Sequence, residues 1–147
     1  MGAFYNRASH TDWGIGVNKG DGSYAGSWKI DEGPQSEYTD DVKNSYANYN
    51  GAAIVVLSRS SGEGADLPRN MDRFGGSSDE HYLELSQNEK DLLKAVNDAG
   101  FKKVIVLLHS ANPMQMDFLK QYNVNAVIWA PGTGTGTGGI NALCKLI

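Results

Sequence analysis

The chain is poor in the residues that build cross-links, metal centres and nucleic-acid-binding faces. Its single cysteine, Cys144, allows neither an intrachain disulfide nor a metal site with paired thiolates. The net charge is −4 and the longest basic cluster is Lys102–Lys103, which argues against a nucleic-acid partner. No apolar run approaches the roughly 20 residues that span a bilayer, so we expect no membrane partner. No histidine has zinc-ligand spacing to another histidine or to the cysteine, and nothing in the sequence indicates a cofactor.

Length and composition predict one domain preceded by a polar arm. The 147 residues suit a single domain. Residues 1–38 are rich in Gly, Asn and Ser, whereas dense aliphatic blocks follow within residues 39–147, which we expect to form the domain. A disulfide-free protein can be cytosolic or secreted. The start of the chain has no signal-peptide core, which favours the cytoplasm.

Three short apolar runs are typical of buried strands, and helix signals separate them. The predicted strands are Ala52–Ser58, Val104–Leu108 and Ala126–Trp129. Ser86 and Glu89 fit a capping box, which predicts a helix from Gln87 to Ala99 that Gly100 closes.

Weaker signals predict further helices. Thr39 is a candidate N-cap, Pro113 is placed as the first residue of a helix, and residues 139–146 form a short helix. Apolar strands of this kind favour a parallel sheet covered on both faces by crossover helices. The predicted fold class is therefore α/β, a three-layer α/β sandwich with a mostly parallel sheet.

A polar stretch, Ser58–Asp66, follows directly on the first strand, where open α/β sheets build their ligand sites. Within it, Glu63 lies between Gly62 and Gly64, so the backbone can turn sharply there. The residues alone leave two interpretations open. Glu63 is either a solvated loop acid or a functional carboxylate.

The other strands also end in polar or aromatic residues. His109 follows the second strand, and Trp129 ends the third, where it either stacks on a sugar ring or packs as a core or rim aromatic. Beyond Trp129, Gly134, Gly136 and Gly139 match a dinucleotide fingerprint. That fingerprint belongs to the first strand of its unit, so we favour a loop that meets a partner or substrate.

Taken together, these segments resemble the second domain of glycoside hydrolase family 3, the family of β-glucosidases. The resemblance covers some 100 residues in matching order and spacing. It is carried by Ala53–Val56 running into Ser58–Gly64, by Leu83-x-Leu85-x-x-x-Glu89, by Val104–Pro113 and by Ala126–Trp129.

The resemblance implies that two domains each supply one of the two catalytic residues. A (β/α)8 barrel supplies the aspartate nucleophile, and the α/β sandwich supplies the general acid/base, which maps onto Glu63. The reaction that the resemblance implies is retaining hydrolysis of a terminal non-reducing β-D-glucosyl residue from a β-linked glucoside or oligosaccharide. It needs two carboxyl groups about 5–5.5 Å apart. We expect Arg59, His109 and Trp129 to contact the substrate.

Two departures from the family pattern bear on these expectations. Thr-Gly repeats stand where the family has a Gly-Gln-Glu-type segment, so the sugar contacts of that loop are not carried over. The barrel and the later Asn-Pro-Ser-Gly-Arg segment are absent from the sequence, which suggests an incomplete domain. The alternatives are a non-catalytic α/β module that binds a carbohydrate or a partner and, more distantly, a nucleotide-binding domain.

We expect the 147-residue chain alone not to hydrolyse aryl β-glucosides, because one carboxylate of the pair gives no covalent route. Release of 4-nitrophenol from its β-glucoside measures this. Turnover above background that disappears in Glu63→Gln would reveal a nucleophile within the chain.

Overall fold

The computed structural model describes residues 32–59, 69–72, 77–131 and 137–146, together with two short pairs near the amino terminus. Those pairs form an antiparallel ladder of β1 (Val17–Asn18) and β2 (Tyr24–Ala25). The main sheet has three parallel strands in the order β3-β4-β5. They are β3 (Ala53–Arg59), β4 (Val104–Ser110) and β5 (Ala126–Trp129).

Helices separate the strands, and the predicted α/β class with a parallel sheet is confirmed. The α-helices are α1 (Asp40–Ser45), α2 (Gln87–Asp98) and α3 (Thr137–Leu146). Single 3-10 turns lie at Gln35–Glu37, Tyr46–Asn48 and Asp117–Lys120. No helix among these described residues is long and apolar enough to cross a membrane.

The helix ends follow from local side-chain chemistry. Ser86 Oγ accepts a hydrogen bond from the Glu89 amide at 3.3 Å, and Glu89 Oε2 accepts one from the Ser86 amide at 2.8 Å. The predicted capping box is therefore confirmed. Gly100 closes α2 with a φ of 73°, a conformation that favours glycine. At α1, the predicted N-cap Thr39 accepts from the Val42 amide.

The predicted helix beginning at Pro113 is wrong. Residues 111–116 are not helical, and only the 3-10 turn Asp117–Lys120 follows them. Ser110 Oγ binds the backbone N–H and C=O of Asn112, and the Gln115 amide donates to the Leu83 carbonyl. These bonds hold residues 110–115 in a non-helical conformation in which Met114 is buried, and a single 3-10 turn follows before β5.

The core lies on one face of the sheet. Alternate residues of β3 and β4 point into it, and α2 covers it with Leu93, which is fully buried, and Val96. Phe118 and Met114, from the connection between β4 and β5, complete the cluster. The buried members on the sheet are Val55, Leu57, Val104, Val106 and Leu108.

The opposite face is more open in the described part of the chain. Ile54 and Val56 of β3 are each 49 % exposed. A chain that steps from β3 to β4 to β5 moves in one direction, and right-handed crossovers then place both connections on the same face. The topology therefore explains why α2 and the Asp117–Lys120 turn share one side of the sheet.

The two faces of β3 predict different costs for one substitution. Val55 is 4 % exposed and Val56 is 49 % exposed, and they are neighbours in the same strand. We expect Val55→Ala to lower the free energy of unfolding by about 1.5–3 kcal/mol, from lost burial and the cavity left behind. Val56→Ala should cost less than about 1 kcal/mol, mostly β-propensity. Urea denaturation measures both, and equal losses would contradict the assignment of faces.

Candidate functional site

Three parallel strands end together at the carboxyl edge of the sheet, where the sequence predicted the site. Arg59 is aligned with Ser110, Ser58 with His109, and Leu108 with Trp129. His109 and Trp129 therefore lie at the carboxyl ends of neighbouring strands, as predicted. Their contact with a substrate stays a prediction.

Trp129 offers an aromatic face at this edge. Its indole Nε1–H donates to the Ser110 carbonyl at 2.7 Å, which fixes the ring against the end of β4. The residue nevertheless remains 60 % exposed. It is therefore an anchored surface aromatic, and not a member of the core.

His109 is also exposed, but it belongs to the other face of the sheet. Side chains alternate along a strand, and His109 is aligned with Ser58, on the same face as Ile54 and Val56. Trp129 is aligned with Leu108 on the core face. The two residues share an edge and flank it from opposite sides, so a ligand in contact with both must lie across the end of the sheet.

Glu63 lies outside the described residues, and so does the Thr-Gly repeat of residues 132–136. The residues that flank the Glu63 segment are described. Arg59 ends β3 four positions before Glu63, and Arg69–Met71 follow residues 60–68. The general acid/base role of Glu63 stays a prediction.

Arg59 is buried beneath this edge, with a side chain 3 % exposed. Its Nη1 donates to Glu89 Oε1 at 2.6 Å and its Nη2 to Glu89 Oε2 at 2.7 Å, a bidentate ion pair. The Nε donates to the Tyr82 carbonyl at 2.7 Å, while the two Nη atoms also reach the carbonyls of Glu84 at 2.6 Å and Ser58 at 2.7 Å. All five N–H groups of the guanidinium are thereby engaged.

These bonds give Arg59 a structural assignment within the described residues. Its N–H groups are used by protein acceptors, and the side chain is enclosed. The expected contact between Arg59 and a substrate is untested, and this geometry gives no support to it. Removing one partner from such a buried pair costs about 3–5 kcal/mol, because the other charge is left uncompensated.

Glu89 has two structural roles, and the sequence predicted only one of them. The capping box identified it as the residue that closes the start of α2. The same carboxylate also neutralises Arg59, which lies 30 positions earlier in the chain. The clues in the sequence were a charged residue, Arg59, shortly after an apolar run, and an acid, Glu89, at the third position of the next predicted helix. Pattern alone does not join the two.

Tyr82 connects this ion pair to the preceding loop. Its ring lies 5.7 Å from the guanidinium carbon of Arg59 and is buried with Met71 in a small second cluster. The Met71 amide donates to the Glu80 carbonyl at 3.0 Å, and the Tyr82 amide to the Arg69 carbonyl at 3.4 Å. An antiparallel bridge between Asn70 and His81 joins the same two segments.

A cavity of about 250 Å³ lies beside α2 and includes neither His109 nor Trp129. Its walls come from the start of α2 and the connection to β5: Glu84, Leu85, Lys90, Gln115, Asp117, Phe118, Gln121 and Tyr122. Burial raises the pKa of Tyr122, and the negative charge of Asp91 adds to this while Lys94 opposes it. No cluster of three potential metal ligands occurs among the residues that the structure describes.

Comparison with known proteins identifies the family to which the chain is similar. Residues 5–145 match the family described as "Glycosyl hydrolase family 3 C-terminal domain". The chain is 38 % identical over 96 residues to "Probable beta-glucosidase L" of Aspergillus terreus, and 36 % identical over 111 residues to "Beta-glucosidase cel3A" of Pyricularia oryzae. It is 34 % identical over 88 residues to "Beta-glucosidase" of Ruminococcus albus.

The matched segments are a large share of this chain and a small share of the relatives. They cover 65 %, 74 % and 58 % of this chain for the three proteins in that order. They cover 12 %, 14 % and 8 % of the respective relatives. No solved structure was significantly similar to the chain.

Proposed function

The chain belongs to the family of glycosyl hydrolase family 3 C-terminal domains, and we propose that it acts as part of a β-glucosidase. In this proposal it supplies Glu63 as the general acid/base for retaining hydrolysis of terminal β-D-glucosyl residues. A (β/α)8 barrel domain supplies the carboxylate nucleophile and most of the pocket for the terminal sugar. The substrate is a β-linked glucoside or oligosaccharide.

The observation that carries the proposal is the position of the segment containing Glu63 in the chain. It follows β3 directly, at the edge where β4 and β5 end with His109 and Trp129. Ligands of open parallel sheets bind outside the carboxyl ends of the strands. A carboxylate on a loop at this edge can reach a sugar held between the sheet and a second domain.

The proposed reaction has two steps. In the first, the nucleophile of the barrel attacks the anomeric carbon while Glu63 donates its proton to the leaving oxygen. In the second, Glu63 takes a proton from water, and that water displaces the enzyme carboxylate. One residue serves as acid and then as base, so its loss should affect both steps.

Trp129 and His109 supply the remaining contacts in this proposal. The indole of Trp129 is anchored by its N–H and exposes its ring, which suits stacking on the apolar face of a sugar. The exposed imidazole of His109 can exchange hydrogen bonds with sugar hydroxyls. Both residues would line the sheet side of an interdomain crevice.

A chimera tests the role of Glu63. The part of this chain that aligns with Pyricularia oryzae beta-glucosidase cel3A, 74 % of the chain, replaces its counterpart in that protein. We expect Glu63→Ala to lower kcat/KM on cellobiose by about 10²–10⁴-fold, the usual contribution of a general acid. The loss should be much smaller on 2,4-dinitrophenyl β-glucoside, whose leaving group needs no proton. Azide, a nucleophile that needs no general base, should restore turnover and yield β-glucosyl azide.

Asp72→Ala is the matched control, because Asp72 is an exposed acid in the same connection between β3 and α2. Asp72→Ala should leave kcat/KM unchanged on both cellobiose and 2,4-dinitrophenyl β-glucoside. A folded chimera without activity, or one that keeps its activity on cellobiose after Glu63→Ala, would contradict the proposal.

The same chimera tests Trp129. Loss of stacking worth about 0.5–1.5 kcal/mol predicts that Trp129→Ala raises KM by roughly 2- to 12-fold, with a smaller change in kcat. Tyr49→Ala is the control, since Tyr49 is 73 % exposed and precedes β3 at the other edge of the sheet. Steady-state kinetics on cellobiose measures both variants. An unchanged KM for Trp129→Ala would exclude it as a substrate contact.

A further inference from the structure

We propose that Arg59 and Glu89 are positioning residues, and that their ion pair holds together the base of the segment formed by residues 60–68. We name Arg59, Tyr82, Glu84 and Glu89 the basal clamp. The inference rests on the proposed function in one respect, namely that Glu63 is the group presented by this segment. The clamp itself is built entirely from described residues.

The residues that flank the segment are both bonded to one residue, Tyr82. Residue 59 precedes the segment and residue 69 follows it. Arg59 Nε donates to the Tyr82 carbonyl at 2.7 Å, and the Tyr82 amide donates to the Arg69 carbonyl. Arg59 and Arg69, which stand on either side of residues 60–68, are thus both bonded to Tyr82, a residue that is 3 % exposed.

Glu89 completes the clamp from a third part of the chain. It fixes the plane of the guanidinium through two bonds, and the remaining N–H groups then point at the carbonyls of Tyr82, Glu84 and Ser58. Because Glu89 is also capped against Ser86, the start of α2 is fixed in the same network. One hydrogen-bond network therefore connects the end of β3, the backbone at Arg69 and the start of α2.

A pair of apolar side chains could fill the volume of Arg59 and Glu89 without making their hydrogen bonds. Replacing a buried ion pair with hydrophobic residues of similar size is often neutral or stabilising. Such residues have no donors for the carbonyls of Tyr82 and Glu84, so the loop would lose its attachment to β3. The substitution therefore tests positioning in any variant that remains folded.

The test uses the chain itself, labelled with ¹⁵N, and compares backbone order parameters at Arg69, Asn70 and Met71, the described residues that follow the segment, with stability in urea. We expect the double variant Arg59→Met/Glu89→Met to fold with a lower urea midpoint than wild type, because Ser86 loses its capping partner and three carbonyls lose their donor. Its order parameters at Arg69–Met71 should fall relative to wild type, towards or below about 0.6, the range of flexible backbone. Values in β4 should not change. Order parameters that match wild type in this folded variant would overturn the proposal.

Arg59→Lys covers the case in which the double variant does not fold. Lysine keeps the charge opposite Glu89, but its three donors cannot replace five in a fixed plane. Order at Arg69–Met71 should again fall, and wild-type order there would refute the positioning role. The matched control is Lys94→Met/Asp98→Met, an exposed ion pair of α2 with side chains 68 % and 64 % exposed. It should leave the loop unchanged.

These outcomes are independent of the outcome for the proposed function. The order parameters need no catalysis, whereas the role of Glu63 is read from kinetics of the chimera. If Glu63→Ala leaves cellobiose hydrolysis intact while Arg59→Lys loosens the segment, the clamp stands and the acid/base assignment fails. If the reverse holds, Glu63 is the acid/base and its segment is positioned by other contacts.

Discussion

The buried charge of Arg59 is the constraint on which the carboxyl edge of the sheet depends. A guanidinium that is taken out of water has to find a counter-charge and acceptors for its five N–H groups. Glu89 provides the charge, and the carbonyls of Ser58, Tyr82 and Glu84 provide the rest. Satisfying one side chain therefore fixes the end of β3, the return of the loop and the start of α2.

The stepwise order of the strands decides which surfaces remain for function. Because β3, β4 and β5 follow one another in space, their connections cover a single face, and the core forms there. The other face keeps Ile54 and Val56 half exposed in the described chain. His109 belongs to this open face and Trp129 to the covered one. A substrate at the edge can thus be approached from two sides.

The elements that the sequence predicted correctly have local causes. The strands follow from runs of β-branched residues, and α2 follows from the contact of Ser86 with Glu89, three positions apart. The helix expected at Pro113 failed because long-range bonds decide that segment, such as the one from the Gln115 amide to the Leu83 carbonyl. The Arg59–Glu89 pair was missed for the same reason, since its members are 30 positions apart.

In the candidate site, too, the sequence predicted the features with local causes and missed those that depend on long-range contacts. The sequence could place His109 and Trp129 at an edge, because strand ends are visible in the pattern. It could not tell that Trp129 is anchored through its indole N–H to Ser110, or that Arg59 is enclosed. Exposure distinguishes the two residues. Trp129 is 60 % exposed and remains available to a ligand, whereas every donor of the Arg59 guanidinium is already bonded to the protein. The buried arginine is thus better understood as a support for the neighbouring loop than as a contact for sugar.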